Sequence, residues 1–221
     1  MPRYGRIDEE YGRHLATSLA AETIYMLNLT RYHPEAGYRR GSGGTGYGAT
    51  SGGSVGAEHE ADIYHAPITL LTAHGAALRF VADVVASSGD WDRVAVVSYP
   101  SRRAFIEMAA RQDFREWHAR KQAAMDSTVV MGMLPVGQLP RPASSSLAVL
   151  EIWDGPAPNP VADGQVAAFD IEGTIIGDGR DWTGARYTVI EPGTPLPLQP
   201  PRPDYQALLL QPTIEHWQWT G

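Results

Sequence analysis

At 221 residues, 43% hydrophobic and 19% charged, the chain has the composition of a soluble globular protein, and the absence of cysteine excludes disulfides, thiolate nucleophiles and Cys-based metal sites. Residues 1–150 balance 15 acidic against 15 basic side chains while residues 151–221 hold 10 against 3, so the net charge of −7 lies in the last third. No basic stripe offers itself to nucleic acid, no apolar window approaches a membrane span, and the N-terminus lacks a signal-like apolar core, so the cytoplasm is the expected compartment.

In chain order, Ile7, Tyr11, Leu15 and Leu19 are spaced for a short amphipathic helix over 6–20. Residues 23–32 then alternate as a strand, with Ile24, Met26 and Asn28 on one face and Tyr25, Leu27 and Leu29 on the other. Both faces are largely apolar, which predicts a strand covered on both sides. Residues 37–56 follow as a Gly/Ser/Thr stretch with eight glycines between positions 41 and 56. Gly41, Gly43 and Gly46 match GxGxxG, but eight residues separate them from the strand and no helix opens directly after, so a flexible insertion is favoured over a phosphate loop. Arg39, Arg40, Tyr38 and Tyr47 would let that insertion close as a lid on an anionic or aromatic ligand; the competing expectation is a neutral surface insertion.

A helix is predicted over 62–74, ended by a left-handed Gly75, with His74 serving its C-terminus. Strands follow at 77–87 and 92–99. Pro100 closes the second of these and Ser101 caps a helix carrying Phe105, Ile106 and Met108. Asp113 and Glu116 read as a capping box for a further helix, and 128–136 is strand again. The order over 23–136 is thus β-α-β-β-α-β, a ferredoxin-like split βαβ arrangement of α+β class. Residues 137–146 read as a linker, and 147–221 as a β-rich acidic C-terminal domain or extra strands, with runs at 147–153, 165–176, 186–191 and 205–217. The predicted organisation is a helical segment at 1–22, a ferredoxin-like domain at 23–136, the linker, and the C-terminal part.

The block from Trp91 to Val136, with Trp91-Asp92-Arg93-Val94, Tyr99-Pro100-Ser101-Arg102, Phe105, Met108, Phe114 and Asp126-Ser127, resembles an uncharacterised bacterial family of the dimeric α/β-barrel superfamily. Met26-Leu27-Asn28-Leu29, Leu70-Leu71 and His74-Gly75 also fit. The resemblance implies a homodimer in which two ferredoxin-like sheets pair across a two-fold axis into a barrel. The superfamily includes cofactor-free monooxygenases, lactone isomerases, polyketide cyclases, haem enzymes and proteins without known activity, so the fold does not select a reaction.

The seven histidines form no HxH, HExxH or HxxxH pair, so no metal site is expected. Glu58-His59-Glu60 reads as a solvated loop. The C-terminal carboxylates, including Asp170 and Glu172 on one strand face, read as a solvated acidic face, because GDGRDW at 177–182 lacks EF-hand periodicity. Trp153, Trp182, Trp217 and Trp219 read as core or interface aromatics. Asn28, Arg79 and Ser98 are polar residues inside apolar strands; each needs a partner, such as an Arg79–Asp83 ion pair, or a cavity to face. Ser98 lies outside any GxSxG nucleophile motif.

Two functional expectations follow. One is a cofactor-independent isomerase, cyclase or monooxygenase-like enzyme for a small, mostly apolar organic substrate. Its pocket would lie between sheet and helices, with Tyr64, His65 or His118 as acid/base and Asn28, Arg79, Ser98, Tyr99 and Trp117 holding the substrate. The other is a non-catalytic ligand-binding or structural dimeric module; a haem enzyme is a further alternative.

Overall fold

The computed structural model describes residues 5–33, 68–87, 91–137, 147–160, 166–191 and 202–215. Among these, nine strands and four helices follow the order β1 (Arg6–Ile7), α1 (Glu9–Thr17), β2 (Ile24–Tyr32), α2 (Ile68–Ala73), β3 (Ala77–Ser87), β4 (Arg93–Tyr99), α3 (Arg102–Ala110), α4 (Gln112–Ala124), β5 (Met125–Val136), β6 (Leu147–Trp153), β7 (Val166–Gly177), β8 (Gly184–Ile190) and β9 (Tyr205–Glu215).

The strands run β7-β5-β2-β4-β3-β9-β6-β8, all neighbours antiparallel, and β8 pairs back onto β7. Eight strands therefore close into a barrel, and β1 extends the free flank of β7 at Gly177 and Ile176. This overturns the expected ferredoxin-like βαββαβ sheet of α+β class and the dimeric α/β barrel with it. The edges of β3 and β5 are paired by the chain's own β9 and β7, so closure requires no second subunit. Closure also removes the unpaired edge hydrogen bonds that an open sheet would present.

Strand alternation sorts side chains into two layers. Tyr25, Leu27 and Leu29 of β2 point inward with Phe80, Val94, Val96, Met131, Leu150, Phe169, Tyr187 and Leu208, filling the barrel. Phe80 meets Tyr187 edge-on at 5.0 Å, and the Trp91 indole donates to Gln206 Oε1 at 3.1 Å inside the barrel. The other face of β2, with Ile24 and Met26, packs outward beneath Tyr11 and Leu15 of α1, Leu71 of α2 and Met108 of α3. Strand β2 is thus covered on both faces, the second cover being the barrel interior and not a partner subunit.

Local signals explain the helix ends. Asp8 caps α1 by accepting from the Tyr11 amide at 2.9 Å, and Glu9 and Glu10 sit at the positive end of its dipole. This helix is shorter than the spacing predicts: Arg6–Ile7 is strand, and Leu19 is fully exposed. Gly75 adopts φ +68°, the left-handed C-cap that ends α2. Ser101 caps α3, accepting from the Ala104 amide at 3.1 Å. The capping box at Asp113 is not formed. Helix α4 begins at Gln112 behind an extended Arg111, and Asp113 instead pairs with the Arg111 guanidinium at 2.6 Å.

Two aromatic rings are fitted over glycines. Gly132 and Gly173 are opposite each other on β5 and β7, and Tyr11 lies across them; a Cβ on Gly173 would stand 2.5 Å from its ring. Trp153 covers its cross-strand partner Gly184 in the same way, at 2.5 Å. Ring on glycine is a recurrent means of covering bare strand backbone.

Candidate functional site

A cavity of about 330 Å³ lies between the outer face of β2, β4 and β5 and the helices α3 and α4. Its floor is Met26, Asn28, Ala95, Val97, Tyr99, Thr128 and Val130, alternate residues of three hydrogen-bonded strands. Helices α3 and α4 supply Phe105, Met108, Phe114, Arg115, His118 and Lys121, and Ile175 and Ile176 of β7 close one side. The volume stands at the lower end of the range of small-molecule sites, about 300–1,000 Å³.

Two polar side chains of the floor donate to main-chain carbonyls. Asn28 donates Nδ2 to the Met26 carbonyl at 3.0 Å, and Thr128 donates Oγ1 to the Leu29 carbonyl at 2.8 Å. Tyr99, 4% exposed, donates its hydroxyl to Met108 Sδ at 3.5 Å, and burial pushes its pKa up, so the phenol stays protonated. Its ring meets Phe105 edge-on at 5.2 Å. His118 stacks on Phe114, centroids 5.6 Å apart. Burial, and then the Lys121 charge, lower the His118 pKa to about 4, so its imidazole is neutral at physiological pH. None of the described residues lining the cavity is acidic.

Of the residues expected from sequence to form a sheet–helix site, Asn28, Tyr99 and His118 meet in this cavity. Arg79 and Ser98 do not line it. Ser98 is adjacent to Tyr99 on β4 and so points to the opposite face, where it accepts from Arg79 Nε at 2.8 Å. The expected Arg79–Asp83 pair is replaced: Asp83 is held by Arg93 at 3.0 Å, its cross-strand partner. Trp117 is half-buried on α4 but is not among the cavity's lining residues. Tyr64, His65 and the lid residues Arg39, Arg40 and Tyr47 lie outside the described residues. His74 sits just past α2, its Nε2 3.2 Å from Arg111 Nη1.

Sequence reasoning passed over Arg115, Lys121 and Thr128. The first two were legible in principle: 115, 118 and 121 are three residues apart on one helix, neighbours on its surface. Ile175 and Ile176 carried no such signal, because they reach the cavity only through the pairing of β7 with β5.

Two buried ion pairs anchor other faces. Arg102, 4% exposed, is bound by Glu172 and by Glu22 at 2.9 Å, and Tyr11 donates to Glu172 at 3.1 Å. Burial alone would raise the Glu172 pKa, but the Arg102 hydrogen bonds and charge hold it below the ordinary carboxylate value. Glu172 is thus an internal counter-ion and not part of a solvated acidic face. On the outer face of the second half, Glu151, 0% exposed, accepts from Arg186 and Tyr205, both at 2.8 Å. Among the described residues, no group of His, Asp or Glu is arranged to hold a metal ion. No described helix is long and apolar enough to cross a membrane.

No family model matches the chain, and none of the curated proteins does. Two solved structures are similar. One is a protein of unknown function from Rhodopseudomonas palustris, 23% identical, with a TM-score of 0.47; the match covers 61% of this chain and 99% of that one. The other, a methylated form of that protein, is 24% identical with a TM-score of 0.49, and 61% and 98% of the two chains are covered. Both matches leave more than a third of this chain without a counterpart.

Proposed function

We propose that the protein binds a small, mostly apolar organic molecule in the cavity between the barrel and α3/α4. The observation that supports this most directly is the cavity itself: about 330 Å³ walled mostly by apolar side chains, in a protein whose barrel interior is filled. The cavity opens to solvent, and an apolar ligand that covers its apolar walls removes that surface from water. A cofactor-independent proton transfer is the second reading, favoured by one observation. His118 is a neutral imidazole at the cavity wall, the protonation state a base needs, though burial and the Lys121 charge make it a weak one.

The test is thermal stability in the presence of uncharged apolar compounds such as octanol, indole and naphthol. A ligand that binds only the folded state raises Tm in proportion to ln(1 + [L]/Kd). At least one should raise Tm of the parent, and the rise should be lost in Ala109→Trp, which fills the cavity from α3. No rise with any of them, or an equal rise in the variant, would remove the proposal. For the catalytic reading, exchange of the α-protons of octan-2-one into D₂O is followed by NMR; a rate no higher than that of His118→Phe would eliminate it.

A further inference from the structure

The cavity floor carries three polar side chains, and each keeps some hydrogen-bonding capacity. Thr128 and Tyr99 are buried, and their hydroxyl protons are committed to the Leu29 carbonyl and to Met108 Sδ, so the two oxygens can only accept further. Asn28 differs in being half-buried. It stands on the middle strand of the floor, between Ala95 of β4 and Val130 of β5, neither of which has a side-chain group to bond it. One Nδ2 proton goes to the Met26 carbonyl at 3.0 Å. A carbonyl accepts and never donates, so this bond fixes which end of the amide is nitrogen and which is oxygen. The amide therefore keeps Oδ1 and its second Nδ2 proton. Among the described residues nothing donates to Oδ1, and the atom is not sealed inside the protein.

A molecule without a donor, lying on this floor, would take water away from Oδ1 and leave the acceptor unpaired, which opposes binding. We infer that the ligand carries an uncharged O–H or N–H that donates to Asn28 Oδ1, which makes Asn28 the residue that selects among apolar molecules of suitable size. A hydroxyl answers the whole amide, donating to Oδ1 while its oxygen can accept the second Nδ2 proton; the N–H of a heteroaromatic ring answers Oδ1 alone. The donor is uncharged because Met26, Ala95, Val97 and Val130 surround Asn28 on the floor, and an ion placed there would lose its hydration. The inference rests on the cavity being a ligand site, and it adds the polar group that the ligand bears and the residue that reads it.

Two pairs of near-isosteres separate the claims: indole with benzofuran, and p-cresol with 4-fluorotoluene, titrated calorimetrically into the full chain. Within each pair the shape is kept and the donor is lost, and the member without a donor is the more apolar, so hydrophobic contact alone favours it. The donor-bearing member should nevertheless bind about tenfold more tightly, as expected when its analogue leaves an acceptor unpaired. In Asn28→Leu that preference should vanish, with indole and p-cresol falling to or below the affinity of their partners. Equal binding within the pairs in the parent would overturn the donor inference and leave the apolar site standing. A preference that survives in Asn28→Leu would overturn the role of Asn28. Binding of none of the four would overturn both the inference and the ligand site. Should the variant fail to fold, the Asn28 Cγ resonance of the parent decides: indole should move it downfield and benzofuran should not, and equal responses would overturn the inference.

Discussion

His118 offers a sharp quantitative test because its environment opposes charge from two directions. The ring is largely buried against Phe114, and Lys121 adds a positive charge nearby. Its pKa falls from 6.5 to about 4 in the folded protein. The unfolded chain therefore binds a proton at His118 throughout the interval in which the folded chain does not. Stability from this residue is fully present above pH 6.5 and is lost as pH falls toward 4, with the slope set by the difference in bound protons. Working from those two values, the loss is about 2 kcal/mol at pH 5 and about 3 kcal/mol at pH 4. Urea denaturation of the parent and of His118→Phe at a series of pH values isolates this effect, since every other titrating group is common to both. The difference between the two should grow by about 2 kcal/mol between pH 7 and pH 5, the parent losing more. A flat difference, or an NMR titration placing His118 near 6.5, would refute the burial argument and with it the geometry assigned to α4.

Two further outcomes follow from the packing. Glu151→Leu should destabilise the protein by about 3–5 kcal/mol, because it strands the buried Arg186 charge, and adding Arg186→Met should recover most of that loss in a double-mutant cycle. If the single variant is neutral by denaturant melting, the pair is not buried as described. Gly173→Ala should cost about 1–3 kcal/mol by forcing its Cβ into the Tyr11 ring, and Tyr11→Ala should relieve the clash so that the two changes are not additive. Additive melting-point losses would show that the ring does not rest on this glycine.

The sequence carried the elements of this protein well and their assembly poorly, for a physical reason. Periodicity and turn chemistry are local, and they place β3, β4 and β6 to within a residue and give Ser101 and Gly75 their capping roles. Barrel closure depends on which strands pair across long stretches of chain: β5 with β7, β3 with β9, and β7 with β8. Nothing in a strand's own alternation names its partner. The two apolar faces of β2 correctly demanded two covers, but a second subunit and a second half of the same chain satisfy that demand equally. The β-rich run after residue 147 was the clue, since four more strands with apolar faces must also be buried somewhere.

The same division governs the site. Asn28 and Tyr99 were legible because a polar atom within an apolar strand needs either a partner or a cavity, and the outer face of β2 and β4 supplies both. Ser98 and Arg79 raised the identical question and answered it with each other, on the opposite side of β4. One residue of register along a strand therefore separates a cavity wall from the other face of the sheet. The cations of α4 were overlooked because an exposed Arg or Lys on a helix is ordinary by itself. What gives Arg115 and Lys121 weight is that they line the same space as Asn28 and Tyr99 of the strands. That shared lining is a property of the assembled wall, and it exists only once β2, β4, β5, β7 and the two helices have been brought around one space.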